Sequence, residues 1–483
     1  MSTVDHSLTI RTKLPSDVGT FGQVIAAIGT AGGEVGGVDL VRAGQSTVTR
    51  DITVQVVDEA GAEAVEQAII ALPGVEIEHS HDRVFSRHVG GKVTMRNRVP
   101  VATRDDLAMA YTPGVARVCT AIHEDPEKVW DYTIRGNSVM VVSDGSAVVG
   151  QGDLGPEASL PAVEAKCVFL RELAGVDAFP LPIIERDPEK MADIIARCSS
   201  VFGGIHLTDI AAPRCFDLAA KLRERVDIPV LHDDQEGTAA ALLAALTNGL
   251  RIAGKTLEES RIVVAGLGPG GMSIVRILIA AGVGKHLIAC DRQGAVTSER
   301  SDLNDQLAWI AVNTNPEGKS GSAAELIVGA DAFIGLSSPG ILNAEDIRRM
   351  AENPVVLALA MPEPELPPVD ALEVAGVYGT GRPDVPNQIN SALAFPGIWR
   401  GALDCRARHL NQAMIMAAAR AIADACGPGL SEGYVVPSVL NPDLVGDVAK
   451  AVRTTAEATG AARAWSMQHS TLAGRALSHQ HAP

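Results

Sequence analysis

Between residues 6 and 85 the spacing of apolar positions changes repeatedly. His6-Ser-Leu-Thr-Ile-Arg-Thr-Lys13 alternates as a strand does, and Gly19 to Ala31 carries its apolar residues at helical spacing. Val48 to Val57 alternates again, Ala62 to Leu72 is helical, and Val75-Glu-Ile-Glu78 is extended. The implied order is βαββαβ, a small antiparallel sheet with its helices on one face. A charged, glycine-containing stretch, Asp82 to Arg98, reads as a bridge between this part and the longer remainder of the chain. An apolar strand at Val141 then enters a run of glycines and acids ending at Gly155, and a buried helix start comes next at Leu160 to Lys166. From Arg261 the pattern is βαβ: strand Ile262-Val-Val-Ala265, a glycine turn, helix Met272 to Ala281, strand His286 to Cys290. Beyond Asp404, alanine-rich helical patterns cover Asn411 to Ala425 and Leu444 to Thr459.

The fold class expected from this succession is α/β, and 483 residues are too many for one core. The expected parts are residues 1–86, 87–253, 254–404 and a C-terminal helical segment, 405–483. Aromatic residues make up only 3% of the chain, so Ala, Val, Leu and Ile must fill the core. A net charge of -17 argues against a nucleic-acid partner, because phosphate binding requires clustered Lys and Arg. Seven cysteines without a Cys-x-x-Cys pair predict neither a zinc knuckle nor a disulfide frame, but reduced core thiols. No run of 18 apolar residues is long enough for a membrane span, and Met1 to His6 lack the features of a leader, so the expected location is cytoplasmic. The ending Ser478-His-Gln-His-Ala-Pro483 reads as a frayed tail rather than a metal chelator.

Gly266-Leu-Gly268-Pro-Gly-Gly271 fits G-x-G-x-x-G after a strand and before a helix. There, backbone amides and the helix dipole can hold a pyrophosphate. Asp291, twenty residues after Gly271, stands where a carboxylate takes the ribose hydroxyls, which favours NAD. Arg292 beside it could pair with a 2′-phosphate, which leaves NADP open.

Several blocks in fixed order resemble the malic enzymes. They are Leu107-Ala-Met-Ala-Tyr-Thr-Pro-Gly-Val-Ala116, Val141 to Lys166, Phe202-Gly-Gly-Ile-His-Leu-Thr-Asp-Ile-Ala-Ala-Pro-Arg214, His232-Asp-Asp-Gln-Glu-Gly-Thr238, and Pro386-Asn-Gln-Ile-Asn-Ser-Ala-Leu-Ala-Phe-Pro-Gly397. The resemblance covers residues 90 to 455. It implies oxidative decarboxylation of malate or a malate-like 2-hydroxy diacid with NAD(P) and Mg²⁺ or Mn²⁺, a homodimer or higher homo-oligomer, and C-terminal helices folded back on the first catalytic domain. Such chemistry needs a base at the hydroxyl, an acid at C3 and a hard cation as Lewis acid. By motif position Lys166 is the base, Tyr111 the acid, Asp233 the group that orients or tunes Lys166, and Asp209 and Asp234 the metal ligands. Residues 1–86 resemble an ACT module, in which Pro15 to Phe21 would form an effector-binding loop; dimer packing is the competing role.

Four positions depart from the family pattern. Thr208 stands in place of the Glu of a Glu-Asp pair, so one expected metal carboxylate is absent. Glu236 replaces a His and could restore the charge, although a spacing of two from Asp234 points it elsewhere on a helix. Met361 replaces the Asn of Ala-Asn-Pro, and Ser391 the second member of an Asn-Asn pair whose first member is Asn390. Asn390, Met361 and Ser391 therefore face the substrate in the expected site, which is more apolar at Met361 and roomier at Ser391. Two readings compete: a catalyst retuned to a different diacid, or a non-catalytic regulatory paralogue that binds ligand through its ACT-like module. A phosphoacyltransferase fusion is disfavoured, because the chain ends soon after the helical cap.

Overall fold

The computed structural model describes residues 6–463, so the Ser478–Pro483 tail lies outside the described residues. Two units divide the chain at Thr94/Met95. In the first, strands β1 (His6–Pro15), β2 (Glu34–Ala43), β3 (Thr47–Val56) and β4 (Glu76–Asp82) form an antiparallel sheet in the order β2-β3-β1-β4. Alternate residues such as Ile10, Ile52 and Val54 are fully buried with Val24 and Ile28 of helix Thr20–Thr30 and Val65 and Ile69 of helix Glu59–Ile70. Periodicity assigned no segment to β2, and the reason is physical: it is an edge strand exposed along nearly all its length, so no face selects apolar residues. The bridge opens with a helix, Arg83–His88, because Asp82 Oδ1 accepts from the amides of Val84 and Phe85 and caps it.

The second unit holds two sheets, one parallel throughout and one parallel except at an edge. Strands β5 (Ser138–Ser143), β6 (Asp177–Pro182), β7 (Gly204–Leu207) and β8 (Val230–His232) run in the order β6-β5-β7-β8. Every residue of β5 is buried, as expected of a parallel strand covered on both faces. Helix Pro156–Ala174 starts after Gly155, at φ +83°, with proline in its first turn, and ends on left-handed Gly175.

The other sheet contains β9 (Ile262–Ala265), β10 (Leu287–Asp291), β11 (Gly294–Ala295), β12 (Ala332–Gly335), β13 (Val355–Ala358) and β14 (Val377–Thr380), in the order β11-β10-β9-β12-β13-β14. All pairs are parallel except the β11 edge. The chain leaves β9 toward β10 and later returns to β12 on its other side. The carboxyl ends of β9 and β12 therefore flank a topological switch point, where such sheets bind ligands.

Helix Gln412–Asp424 packs on helix Thr238–Ile252, whose buried Asn248 donates to the carbonyls of Ala423 and Val435 at 2.8 and 2.9 Å. Trp399 of helix Phe395–Asp404 fills the space over Gly204, where any Cβ would lie 2.0 Å from its ring. Five of the seven cysteines are buried and burial pushes the Cys167, Cys215 and Cys290 thiols up to about 12; Cys119 and Cys198 are exposed, which corrects the expectation of core thiols throughout. Among the described residues no helix is long and apolar enough to cross a membrane.

Candidate active site

Lys166 lies on helix Pro156–Ala174 and donates to Asp233 Oδ2 at 2.5 Å. Asp233 comes directly after β8 in a π-helical turn, Asp233–Gly237, and is 1% exposed. The same Oδ2 accepts from Ser391 Oγ at 2.8 Å, and Lys166 Nζ lies 3.5 Å from that hydroxyl. Gly237 is required here, since a Cβ would fall 2.5 Å from Asp233 Oδ1 and 3.2 Å from Ser391 Cβ. Burial alone would lower the Lys166 ammonium, but the charge and hydrogen bond of Asp233, with Asp234 and Asp209 beyond, raise it above the ordinary lysine value. Burial works against the Asp233 carboxylate too, and the Lys166 charge outweighs it, holding Asp233 below the usual carboxylate range. The two groups form an ion pair.

Asp234 meets Asp209, whose amide donates to Asp234 Oδ2 at 3.0 Å. Asp209 has φ +56°, and its Oδ2 is buried without a hydrogen-bond partner. Burial, then the charge of Asp234, pushes the Asp209 carboxyl up to about 7; burial, then Asp233, raises Asp234 as well, against the lowering effect of His232. Two oxygen-donor side chains that disfavour their own ionisation, one with an orphaned oxygen, fit a hard divalent cation that would supply the missing charge. Among the described residues no three His, Cys, Asp or Glu side chains come together as a metal centre. Thr208 is fully buried and its hydroxyl has no partner. Glu236 does not supply the missing charge: Oε1 pairs with Arg223 at 2.5 Å and Oε2 accepts from the His232 amide at 2.8 Å.

The glycine turn lies against this cluster. Gly266 has φ +92°, and a Cβ there would lie 2.3 Å from the Leu336 carbonyl at the end of β12. A Cβ on Gly271 would meet the Gly266 carbonyl at 1.8 Å, whereas one on Gly268 would meet nothing within 4 Å. That combination, a tight turn, an open second glycine and a packed third, fits a dinucleotide pyrophosphate at the start of helix Pro269–Ala280. A Cβ on Gly270 would lie 3.3 Å from the Asp234 carbonyl, so the cofactor turn and the acidic turn are neighbours. Asp291 ends β10, with exposed Arg292 beside it.

The remaining expected residues are less directly joined. Met361 is 48% exposed and packs at the glycines of both flanking loops, its Cβ 3.4 Å from the Cβ position of Gly150 and its Sδ 3.6 Å from that of Gly381. Asn390 Oδ1 accepts from the Ala392 amide at 2.8 Å, capping the turn that presents Ser391. Tyr111 joins none of the hydrogen bonds of the Lys166 cluster. It ends helix Arg104–Ala110, is 68% exposed, and neither that helix nor Gly114–Glu124 buries a residue within the chain.

Three further groups at or near the site carry no signal of their role in the sequence. His206 is fully buried; its Nδ1 accepts from Trp399 Nε1 at 3.0 Å, and burial pushes the imidazole down to about 4. Glu365 is fully buried and accepts from the Ser337 amide and hydroxyl and from the Ala360 amide, tying the loop at the cofactor turn to the one bearing Met361. Arg300 grips both oxygens of Asp291. Each finds its partner through the fold, at no spacing that a local motif would mark.

Known proteins resemble this chain in sequence and fold. Residues 91–187 match the model of the malic enzyme N-terminal domain, and residues 235–457 that of the malic enzyme NAD binding domain. The chain is 47% identical over 458 residues to the NAD-dependent malic enzyme of Geobacillus stearothermophilus, covering 95% of this chain and 96% of that one. It is 45% identical over 376 residues to the bifunctional malic/malolactic enzyme of Bacillus subtilis, covering 77% and 92%. The crystal structure of the NAD-dependent malic enzyme from Thermotoga maritima superposes with a TM-score of 0.74 at 41% identity, covering 77% of this chain and 99% of that one.

Proposed function

We propose, on the premise that the chain belongs to the malic enzyme family, that it oxidatively decarboxylates malate or a malate-like 2-hydroxy diacid to a 2-keto acid and CO₂ while reducing NAD(P). The observation that carries this reading is the apposition of three features: the Lys166–Asp233 ion pair, the facing carboxylates Asp209 and Asp234, and the glycine turn packed on the Asp234 carbonyl. Proton, cation and hydride-acceptor sites thus converge on one short segment, residues 233–237.

Asp209 and Asp234 would hold Mg²⁺ or Mn²⁺, whose Lewis acidity would stabilise negative charge on the C2 oxygen. Gly266, Gly268 and Gly271 would seat the dinucleotide, which would supply the acceptor for the C2 hydride. Lys166 accepts the proton of the C2 hydroxyl. Asp233 holds it as an ammonium at rest. With a cation at Asp209 and Asp234 that ammonium would be lowered, and its proton leaves to solvent. The free amine, kept aimed at the substrate oxygen by Asp233, then takes the hydroxyl proton. After CO₂ leaves, Tyr111 returns a proton to C3. Asn390, Met361 and Ser391 shape the substrate pocket, and the Met361 and Ser391 departures favour a diacid carrying an added or apolar group.

The surrounding assignment belongs to the same reading. Residues 1–86 form an ACT-like regulatory module that takes a small effector, 87–253 the first catalytic domain, 254–404 the dinucleotide domain and 405–483 a helical cap, in a cytoplasmic homodimer or higher homo-oligomer. The orphaned Thr208 hydroxyl at the third carboxylate position is the observation that favours the second reading, a non-catalytic regulatory paralogue. A screen of malate and substituted 2-hydroxy diacids with NAD and NADP, with and without Mn²⁺, monitoring reduced cofactor, decides between them. Metal-dependent turnover of any diacid supports the enzyme; no turnover, with no Mn²⁺ or dinucleotide binding, supports the paralogue.

A further inference from the structure

The expectation that Asp291 by itself favours NAD treats it as a bare carboxylate. It is not one. Asp291 Oδ1 accepts from the Gln293 amide at 2.8 Å and from Arg300 Nη1 at 2.9 Å, and Oδ2 accepts from Arg300 Nη2 at 2.8 Å. Asp302 holds Arg300 from the other side, its Oδ1 accepting from Nε at 2.9 Å and its Oδ2 from Nη2 at 2.6 Å. The Gly294 carbonyl lies 3.5 Å from Nη1. A guanidinium has five N–H donors, and here five acceptors surround it. The Arg300 side chain is 13% exposed, less than either carboxylate it joins.

This arrangement has two consequences for a ribose docked at the end of β10. Of the four or so lone-pair sites of the Asp291 carboxylate, three are taken, so one direction on Oδ2 remains for a ribose hydroxyl. Arg300, the most buried cation beside that position, has no donor left for a phosphate. The trio of Asp291, Arg300 and Asp302 carries a net charge of −1, so a 2′-phosphate meets repulsion and a saturated guanidinium together.

We infer that Arg300 is the positioning and specificity-determining residue of the ribose site, locked by Asp302 so that it presents Asp291 to a ribose hydroxyl and withholds its own donors from a 2′-phosphate. The inference rests on the proposed binding of a dinucleotide at the glycine turn. It moves the NAD/NADP choice from Asp291 alone, and from exposed Arg292, to a clamp of three residues.

The test uses the full chain and direct binding, with dissociation constants for NAD and NADP by calorimetry and folding checked by thermal melting. Arg300→Met is expected to weaken NAD about tenfold, because the unclamped Asp291 no longer holds its hydrogen bond to the ribose hydroxyl in place, without creating NADP affinity. Asp291→Ser combined with Asp302→Ser is expected to tighten NADP at least about tenfold beyond Asp291→Ser alone, because the freed guanidinium can pair with the phosphate. Adding Arg300→Met to that pair should remove the gain, and the uncharged Arg300→Gln is the substitute where Arg300→Met does not fold. A double variant no better than Asp291→Ser, or a gain that survives loss of Arg300 and disappears with Arg292→Ala, would overturn the clamp and leave the enzyme reading standing. Wild-type protein that binds neither dinucleotide would overturn both.

Discussion

Ser391 and Asp233 are 158 positions apart in the chain, yet the Ser391 hydroxyl donates at 2.8 Å to the carboxylate oxygen that also receives Lys166. The other oxygen of Asp233 is buried without a partner. Ser391 is therefore one of only two side chains that hold this carboxylate in place among the described residues.

Ser391→Ala should lower kcat about tenfold, since a hydrogen bond to a buried charged group contributes about 1.5–3 kcal/mol. Ser391→Thr keeps the hydroxyl and should retain most of the activity. Steady-state kinetics of the two variants checks this. Equal loss in both would mean that pocket shape, not the hydroxyl, matters at position 391.

Lys166→Ala and Tyr111→Phe should each cut oxidative decarboxylation by about 10²- to 10⁴-fold and leave dinucleotide binding nearly unchanged. Lys166→Ala should also lower Tm, because it strands the buried Asp233 charge, a change that costs about 3–5 kcal/mol. Tyr111→Phe, at an exposed position, should not. Near-wild-type turnover in both variants would remove both residues from the chemistry.

Asp209 is raised to about 7 in the folded protein, above an unfolded value of about 3.9. A carboxyl raised on folding favours the fold below its unfolded value, and that contribution is lost as pH rises through about 7. Metal-free protein should therefore lose stability over that window, with Asp234 shifting in the same direction. Mn²⁺ should raise Tm more at about pH 8 than at about pH 5, since the cation binds the ionised pair. Thr208→Glu should enlarge the effect by adding a hard anionic ligand. A Tm increment independent of pH, or one that persists in Asp209→Asn, would show that Mn²⁺ binds elsewhere.

Met361→Asn with Ser391→Asn introduces two amides at the positions proposed to face the substrate. The pair should raise kcat/KM for malate relative to substituted 2-hydroxy diacids by about tenfold or more, as a site regains polar partners for carboxylate oxygens. Competition between two diacids in one reaction reads the ratio directly. A wild type that already turns over malate efficiently, with no change in the double variant, would mean that these departures are neutral.

Features encoded between neighbouring residues were legible in the sequence. The strand Ile262–Ala265, the turn Gly266–Gly271 and the helix after it could be read because a period of two, a period of 3.6 and glycine spacing are local properties. The motif blocks likewise marked Lys166, Asp209, Asp233 and Asp234. Strand β2 left no mark, because an exposed edge strand buries no face. The partner that each charged group meets was settled only in three dimensions. Folding brought Ser391 to Asp233, turned Glu236 to Arg223 and away from the acidic pair, set Trp399 against His206, and closed Arg300 on Asp291. A buried polar group must find a donor or an acceptor wherever the fold supplies one, and that search runs through space rather than along the chain.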